Sequence, residues 1–382
     1  MDFSWSEEQL KFKEAVIKFA QKELNEDLIQ RDKVGEISIE NWKKCAELGI
    51  LGLPIPEKYG GIDADIMTTM LVMEGLGYGC KDNGLIFAMN AQLWSVQLPI
   101  LLFGTEEQKR KYLPELCSGD LVGAHGMSEP DSGSDAYSLR TRAERVDGGY
   151  AINGTKMFVT NAPFCDLALI FATIDPSKGM GGITAFVVEK GTPGFRVSRK
   201  LEKMGLRTSP MGELIFEDCF LPEESRLGKE GAGVSIFNSS MEWERSSILA
   251  SHIGAMERQL EACIRYARQR RQFGQPIGKF QSISNRIADM KVRLETARLL
   301  LYKVAWSKKV GKSAVMDAAL AKLYLSECFV QSSLDAIRIH GGYGYMTEFE
   351  VERDLRDAIG GTLYSGTSDI QRVIIARWLG LY

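Results

Sequence analysis

The chain has 382 residues, of which 45% are hydrophobic, and its 47 Lys and Arg against 50 Asp and Glu give a formal net charge of −3. This near-neutral balance argues against general binding of nucleic acids, which requires a basic surface. No stretch has the roughly 20 consecutive apolar residues of a membrane span, and the acidic beginning of the chain is unlike a secretory signal or a basic transit peptide. Seven scattered cysteines without a C-x-x-C pair are typical of reduced thiols, so we expect a cytoplasmic protein.

The first part of the chain has apolar residues at helical spacing. Ser6 and Gln9 match a capping box ahead of the first helix. After a break rich in proline and glycine, further helices are predicted at Met67–Tyr78 and Glu106–Cys117. These features predict an N-terminal helical domain over residues 1–121.

The next part has the short, regularly spaced apolar runs of β-strands. The dipeptide Asn153-Gly154 separates Tyr150–Ile152 from Lys156–Thr160, and Asn-Gly is a strong signal for a two-residue hairpin. We therefore expect a hairpin there, within a small β-barrel domain over residues 122–231. Further strands are predicted at Leu167–Thr173, Ile183–Glu189, Phe195–Val197 and Glu213–Phe216.

The remainder of the chain is helical again, so the predicted fold class is α+β and mostly α. Apolar side chains recur every three or four residues, for example at Ile283, Ile287 and Met290. Antiparallel packing of long helices with such faces gives a four-helix bundle, which we assign to residues 232–382. The long helical segments are predicted near residues 232–269, 280–309, 313–340 and 366–380.

Glu244 lies in the first of these segments and is followed by Arg245. It shares a helix face with Ser240 and Ser251, and a carboxylate on an apolar face is costly to bury unless it is paired. Two interpretations follow: a surface ion pair with Arg245, or a desolvated general base with a raised pKa. Helical periodicity does not decide between them.

Three other segments are rich in groups that can hold a ligand. The loop Met127–Asp135 offers hydroxyls and backbone N–H donors, Arg268–Gly274 ends a helix with guanidinium groups that can grip a pyrophosphate, and His340–Tyr345 is a glycine-rich turn. Each also has a purely structural interpretation, as a surface turn, a helix end favoured by cations or a C-cap. The three histidines form no cluster with one another or with cysteines, so no metal site is expected.

Taken in order, five motifs resemble those of the acyl-CoA dehydrogenase family of flavoproteins, and the resemblance spans nearly the whole chain. They are the loop Met127–Asp135, the strand Lys156–Asn161, the basic turn Arg270-x-x-Phe273-Gly274 with Gln281 beyond it, the glycine turn Gly341-Gly342-x-Gly344 and the loop Tyr364–Ser368. The resemblance implies the same order of N-terminal helical domain, central β-barrel and C-terminal four-helix bundle. It also implies FAD as the cofactor and a homotetramer in which neighbouring subunits share the FAD site.

The resemblance further implies roles for individual residues. Those that face the isoalloxazine ring would be Met127, Ser128, Phe158 and Thr160, with Phe158 stacked on the ring and Thr160 hydrogen-bonded near N5. Those that hold the pyrophosphate and adenine of a neighbouring subunit's FAD would be Arg270, Gln272 and Phe273, completed by Arg338, Gly341, Gly342, Thr367 and Asp369. Gln281 belongs to the same motif as Arg270, and Arg338 stands where many members have Gln.

The position of the catalytic glutamate varies in this family. Most members carry it directly after the tyrosine of the C-terminal loop, where this chain has Ser365. The isovaleryl-type members instead carry it on the first helix of the C-terminal domain, immediately before an Arg, where this chain has Glu244 and Arg245. The loss at one position and the gain at the other explain each other. The resemblance therefore favours Glu244 as the base that removes the α-proton of a thioester.

A narrower resemblance concerns the substrate. The segments Ser239–Arg245, Met256–Glu261, Ser365–Asp369 and Gly84–Ala88 are similar to those of the L-prolyl-carrier-protein dehydrogenases of pyrrole and pyrroline pathways. This similarity implies a prolyl thioester, held on a peptidyl or acyl carrier protein and oxidised to a pyrroline or a pyrrole.

The same resemblance places Ser134 and Arg245 at the pantetheine arm and the Ser365 N–H at the thioester oxygen. For Arg245, an ion pair on the helix surface is an equally good interpretation. Two alternatives for the function stay open: an isovaleryl-like branched-chain acyl-CoA dehydrogenase, and a non-catalytic flavin-binding member.

Overall fold

The computed structural model describes residues 4–381, so the interpretation of the first three residues, Met1 to Phe3, lies outside the described part. The first third of the chain is helical, as predicted. Ser6 and Gln9 each accept a hydrogen bond from the other's backbone N–H, which confirms the capping box. Helices α1–α7 span Glu7–Glu23, Leu28–Val34, Ile39–Glu47, Ile66–Gly79, Asn83–Gln92, Leu98–Phe103 and Glu106–Cys117.

Helices α5 and α6 form one long helical run because five residues of π-helix, Leu93–Gln97, join them. The run Asn83–Phe103 is the only one among residues 4–381 that is long and apolar enough to cross a membrane. Polar residues such as Asn90 and Gln92 interrupt its apolar pattern, so it is not a run of 20 consecutive apolar residues. The run is mostly buried among its neighbours, as a core helix is.

The middle third forms a mixed sheet of eight strands. Strands β1–β8 span Gly123–Gly126, Arg142–Val146, Gly149–Thr160, Leu167–Thr173, Ile183–Glu189, Phe195–Leu201, Met211–Pro222 and Arg226–Leu227. Neighbouring strands follow the order β6-β7-β3-β2-β4-β5-β8, and β1 pairs in parallel with β4. The β-strands expected in this part of the chain are therefore present.

The hairpin expected at Asn153-Gly154 was wrong. Strand β3 runs through both residues, and the turn lies earlier, at Asp147-Gly148, between the antiparallel strands β2 and β3. The Asn-Gly pair instead marks a β-bulge, because the pairing of β3 with β7 shifts register between Ile152 and Gly154. Gly154 has a φ of 150°, and a Cβ there would lie 2.5 Å from the Thr141 hydroxyl oxygen, so the bulge requires glycine.

Strand β4 is buried along its whole length because the sheet is covered on both faces. Its odd-numbered residues from Leu167 to Phe171 belong to one apolar core together with Leu113 of α7. Its even-numbered residues from Ala168 to Ala172 belong to a second core together with Phe216 of β7. This alternation follows from the two-residue period of a strand, and it joins the sheet to the N-terminal helices.

The last third is helical, as predicted, with two differences. The segment near 232–269 divides into two helices at Ile248 and Leu249, and the helix at Val351–Gly361 was not predicted because charged residues dominate its sequence. Helices α8–α14 span Gly233–Ser247, Ala250–Gln269, Gln281–Lys309, Val315–His340, Gly342–Tyr345, Val351–Gly361 and Ser368–Trp378. Between α9 and α10, the short strands β9 and β10, Arg271–Gln272 and Gln275–Pro276, form a hairpin.

The first and last helical thirds share one apolar core. Within it, α4 and α9 cross in close contact. A Cβ at Gly77 would lie 1.9 Å from the Ser251 carbonyl oxygen, and a Cβ at Gly254 would lie 2.0 Å from the Glu74 carbonyl oxygen. Because these contacts require glycine, the helices meet backbone to backbone. The crossing also fixes α8, which precedes α9 and packs on the π-helical turn. The predicted fold class, α+β and mostly α, is confirmed.

Candidate active site

Glu244 lies in α8 with its carboxylate turned into the protein, and only 9% of the residue is exposed. One carboxylate oxygen accepts a hydrogen bond from the Ser95 hydroxyl, and the other accepts one from the Ser365 hydroxyl. Arg245 makes no ion pair with an acidic side chain of the described residues, and its Nε donates to the Ser365 carbonyl oxygen at 3.3 Å. Glu244 is therefore a buried carboxylate and not half of a surface ion pair.

Burial raises the pKa of the Glu244 carboxyl, because the charged form loses its hydration inside the protein. The hydrogen bonds from Ser365 and Ser95 lower this pKa, and so do the positive charges of Arg245 and Lys322. A carboxylate with a raised pKa and two fixed hydroxyl donors is suited to take up a proton from a substrate. The arrangement can therefore perform general base chemistry.

Ser365 lies in the loop between α13 and α14, in the left-handed backbone conformation with a φ of 53°. Such conformations of residues other than glycine concentrate at functional sites. Its carbonyl oxygen accepts hydrogen bonds from Arg245 and from the Gln371 side chain, whereas its backbone N–H has no acceptor among residues 4–381. The loop thus gives a hydroxyl to Glu244 and keeps an unused N–H donor at the same residue.

Sequence reasoning missed Ser95, the second donor to Glu244. Ser95 is buried in the π-helical turn that joins α5 and α6. Such turns widen a helix by one residue and frequently occur at functional sites, because they redirect a side chain without ending the helix. A lone serine in an apolar run gives no sequence signal of this kind, since periodicity does not distinguish a π-helical turn from an α-helix.

An ion pair that sequence reasoning also missed anchors the loop Met127–Asp135. Lys156 of β3 is completely buried, and its ammonium nitrogen lies 2.7 Å from a Glu129 carboxylate oxygen. Glu129 also accepts hydrogen bonds from the backbone N–H groups of Arg140 and Thr141. Burial lowers the pKa of Lys156 to about 8, and the charge of Glu129 opposes this shift. The pair fixes the loop against β3.

The four residues expected at a flavin ring lie on this loop and on β3. Met127 is buried, and the half-buried Ser128 accepts a hydrogen bond from the Met157 N–H at 2.8 Å through its carbonyl oxygen. Phe158 lies at a second register shift of β3, with a φ of 58°, and is 61% exposed. Thr160 is half-buried at the end of the same strand. The irregular strand thus leaves a large aromatic side chain uncovered.

The two residues expected at the pantetheine arm lie on neighbouring elements. Ser134 is exposed on its loop. Three residues later, the Tyr137 hydroxyl donates to the Asn238 side chain of α8 at 2.6 Å. Arg245 lies further along α8, and burial is the largest cause that lowers its pKa. The segment that carries Ser134 is therefore fastened to the helix that carries Arg245.

A cleft with a volume of about 830 Å³ lies at the second group of predicted residues. Arg270, Gln272 and Phe273 line it from the end of α9 and the hairpin that follows. Gly341 and Gly342 line it from the turn after α11. Phe273 is 93% exposed and has a φ of 48°. The structure therefore brings five of the predicted residues together around one opening.

Four other predicted residues do not line this cleft. Gln281 is exposed at the beginning of α10, and Arg338 is exposed in the last turn of α11. Thr367 caps α14, since its hydroxyl accepts a hydrogen bond from the Ile370 N–H, and the exposed Asp369 follows in the first turn of that helix. The last two lie close in sequence to Ser365, so the predicted set divides between the two sites.

Comparison with known families accounts for this arrangement. Residues 6–120 match the acyl-CoA dehydrogenase N-terminal domain, residues 124–219 match the middle domain and residues 231–380 match the C-terminal domain. This chain belongs to the acyl-CoA dehydrogenase family. The resemblance drawn from the five motifs is therefore confirmed at the level of the family.

Individual relatives are similar over almost all of this chain. An L-prolyl-[peptidyl-carrier protein] dehydrogenase from Pseudomonas fluorescens strain Pf-5 is 47% identical over 89% of the chain and 90% of that protein. The crystal structure of the prolyl acyl carrier protein oxidase AnaB covers 99% of this chain and 100% of its own, with 54% identity and a TM-score of 0.98. The structure of PigA with FAD and proline covers 100% of both chains, with 43% identity and a TM-score of 0.97.

The residues of this member of the family fit FAD. Apart from the adjoining backbone and chain neighbours, no atom lies within 4 Å of a Cβ built on Gly341 or Gly342, so a pyrophosphate can approach the bare backbone there. The Arg270 guanidinium, 5.6 Å from the centroid of the Tyr343 ring, offers paired N–H donors to phosphate oxygens. The uncovered ring of Phe158 offers an apolar aromatic surface for stacking. The chain thus offers polar groups for the pyrophosphate and an aromatic surface for the isoalloxazine ring.

Proposed function

We propose that this chain is an FAD-dependent dehydrogenase of an L-prolyl thioester held on a peptidyl or acyl carrier protein, giving a pyrroline or pyrrole carboxyl thioester for natural-product biosynthesis. The observation that carries the proposal is the buried Glu244 carboxylate, which accepts a hydrogen bond from Ser365. Ser365 stands at the loop position where most family members carry their base. Similarity to the L-prolyl-carrier-protein dehydrogenase and to AnaB supports the choice of substrate.

Glu244 removes the α-proton of the thioester. Its carboxylate is desolvated, and the hydroxyls of Ser95 and Ser365 hold its two oxygens, so it meets the substrate in one orientation. FAD, when bound, supplies the acceptor for the hydride that leaves the β-carbon. One proton and one hydride leave the substrate, and a double bond forms between its α- and β-carbons.

The Ser365 N–H is the donor that we assign to the thioester carbonyl oxygen. Removal of the α-proton moves negative charge onto this oxygen, and a fixed N–H donor stabilises that charge. The hydrogen bonds from Arg245 and Gln371 to the Ser365 carbonyl oxygen hold the loop in place. Replacing the loop glutamate by serine leaves the backbone donor unchanged, so the oxygen site is compatible with a base on α8.

The remaining residues take the roles that the family resemblance gives them. Around the isoalloxazine ring we place Met127, Ser128, Phe158 and Thr160. At the adenine end of a neighbouring subunit's FAD we place Arg270, Gln272, Phe273, Gln281, Arg338, Gly341 and Gly342. The resemblance adds Thr367 and Asp369 to this set, although they lie outside the cleft and close in sequence to Ser365. Ser134 and Arg245 contact the pantetheine arm. This assignment requires a homo-oligomer, which we propose to be a cytoplasmic tetramer with domains over residues 1–121, 122–231 and 232–382.

The substrate is tested by offering the FAD-loaded protein two thioesters without oxygen. Prolyl-carrier protein should bleach the flavin absorbance, and isovaleryl-CoA should do so far more slowly. A carrier protein without the prolyl group is the matched control and should leave the flavin oxidised. Mass spectrometry of the carrier after exposure to an electron acceptor then distinguishes a pyrroline product from a pyrrole. Bleaching by isovaleryl-CoA alone would overturn the choice of substrate.

The same experiment tests whether the chain is a catalyst. A non-catalytic flavin-binding member would bind FAD and leave it oxidised with both thioesters. The buried base favours catalysis, because an unpaired carboxylate inside a protein costs free energy that a purely structural role does not require.

A further inference from the structure

Lys322 of α11 is completely buried, and its ammonium group has no hydrogen-bond partner in the described part of the chain. A buried ammonium normally pairs with a carboxylate, as Lys156 does with Glu129. An ammonium left without such a partner costs several kcal/mol in a water-poor interior, so its presence calls for a physical reason.

The surroundings of Lys322 lead to the proposed base. Its ammonium nitrogen lies 5.9 Å from the centroid of the Tyr364 ring, within the range of a cation–π interaction. Tyr364 directly precedes Ser365, whose hydroxyl donates to Glu244. The Tyr364 hydroxyl lies 3.2 Å from Nε2 of His252, so the Tyr364 ring contacts both Lys322 and His252. Lys322 therefore packs against the loop residue next to the one that holds Glu244.

We propose that Lys322 is a positioning residue that keeps the Glu244 carboxylate ionised between turnovers. The inference rests on the proposed function. The ammonium places a positive charge in the same buried region as the carboxylate, and it holds the Tyr364 ring so that Ser365 stays on Glu244. Without that charge, the interior would favour the protonated carboxyl, which cannot act as a base.

The other charged and titratable groups around Lys322 support this role. Burial, followed by the charge of Arg245, lowers the pKa of Lys322 to about 7, whereas Glu327 and Glu244 raise it, so Lys322 is charged on the acidic side of pH 7. Burial lowers the pKa of His252 to about 4, with a further contribution from Lys322, so His252 is neutral at neutral pH. Burial raises the pKa of Tyr364 well above its usual range, so it is neutral too. Neither His252 nor Tyr364 therefore supplies a positive charge that could act on Glu244 in place of Lys322.

The test compares the pH dependence of flavin bleaching by prolyl-carrier protein in three variants. In Lys322→Met, the acidic limb of the rate profile should move up by about one pH unit, so the rate on that limb falls about tenfold. Lys322→Arg keeps the charge and should keep the limb near its original position. The matched control is Lys303→Met, which removes a half-exposed lysine of α10 paired with Asp317 of α11 and should leave the profile unchanged.

A structural role alone would lower the rate equally at every pH and leave the limb in place, and that result would overturn the proposal. Flavin absorbance and the melting temperature report whether each variant is folded and loaded. Lys322→Gln, whose neutral amide is cheaper to bury than an ammonium, serves in place of Lys322→Met if the methionine variant does not fold. It should show the same shift of the limb.

The failure of this inference can be told from the failure of the proposed function. If the unaltered protein is bleached by isovaleryl-CoA alone, the carrier-bound substrate is wrong, and the comparison of variants is repeated with the CoA ester because the same base acts on both thioesters. If neither thioester reduces the flavin, the proposed function fails, and the role of Lys322 fails with it.

Discussion

The functional groups around Glu244 are buried and hydrogen-bonded within the chain, whereas those of the cleft at Arg270 are exposed. At Glu244 both carboxylate oxygens accept hydrogen bonds from this chain, and 9% of the residue is exposed. At the cleft, Phe273 is 93% exposed on a hairpin whose two strands have only two residues each. The region around Glu244, which we call the chemical end, is completed by side chains of one chain. The region around Arg270, the open end, presents its side chains to the outside.

This difference follows from what each end is proposed to do. A base has to be oriented before the substrate arrives, so its donors must come from rigid elements of the same fold. A surface that holds the cofactor of a neighbouring subunit has to stay open on each single chain. Substitutions around Glu244 should therefore change rates with FAD still bound, and substitutions at the cleft should change FAD binding.

The largest effect is expected from Glu244→Gln. The amide keeps the size of the side chain and can still accept a hydrogen bond, but it cannot take up the α-proton. Loss of a general base costs about 10²- to 10⁴-fold, and we expect flavin bleaching by prolyl-carrier protein to slow by about 10³-fold while FAD stays bound.

The matched control is Glu242→Gln, on the same helix, whose carboxylate lies 2.8 Å from the Lys308 ammonium. It should keep most of the rate. An unaltered rate in Glu244→Gln would place the base elsewhere and remove the contrast between the two ends of the molecule.

The second effect concerns stability. Lys156→Met leaves Glu129 buried without its cation, which should destabilise the protein by about 3–5 kcal/mol, as measured by urea unfolding of the FAD-loaded enzyme. Lys178→Met removes an exposed lysine 3.5 Å from Asp175, and it should cost less than about 1 kcal/mol. Equal losses in the two variants would mean that the buried pair does not anchor the loop Met127–Asp135.

At the open end, Arg270→Ala should weaken FAD binding about 10- to 100-fold, because a guanidinium–phosphate contact is lost. The rate of bleaching in the fully loaded enzyme should change little. Arg265→Ala, which removes an exposed arginine of α9 paired with Glu261, is the control and should bind FAD normally. A titration of FAD with gel filtration of each variant measures both affinity and assembly. A slower rate with unchanged affinity would mean that Arg270 belongs to the chemical end.

Much of the fold could be predicted because local patterns and tertiary structure agree. The strands Leu167–Thr173 and Ile183–Glu189 and the helix Glu106–Cys117 have the predicted bounds, since apolar runs, glycines and caps all mark the same ends. Asn153-Gly154 misled because a turn signal also fits a bulge inside a long strand. Residues 248–249 gave no signal of a break, because apolar residues continue across it.

The site could be predicted only in part. Glu244 and Ser365 were predicted together, because the C-terminal loop has Ser365 where most family members have the catalytic glutamate, and α8 carries Glu244 in its place. Ser95 and Lys322 were not predicted, because each acts through a long-range contact. The Ser95 hydroxyl donates to a residue 149 positions away along the chain, and the Lys322 ammonium lies beside the Tyr364 ring in the loop between α13 and α14. Spacing within one element does not contain such information.

The smallest effect is expected at Ser95, the second hydroxyl donor to Glu244. Ser95→Ala removes one of the two donors that lower the pKa of Glu244, so this pKa should rise further and the rate of bleaching near neutral pH should fall about tenfold. The matched control is Ser247→Ala, since Ser247 is buried on α8 and its hydroxyl has no hydrogen-bond partner among residues 4–381. It should leave the rate and its pH profile unchanged. Equal effects of the two alanines would show that the π-helical turn supports packing and not the base, because the two substitutions remove the same atom and differ only in whether it contacts Glu244.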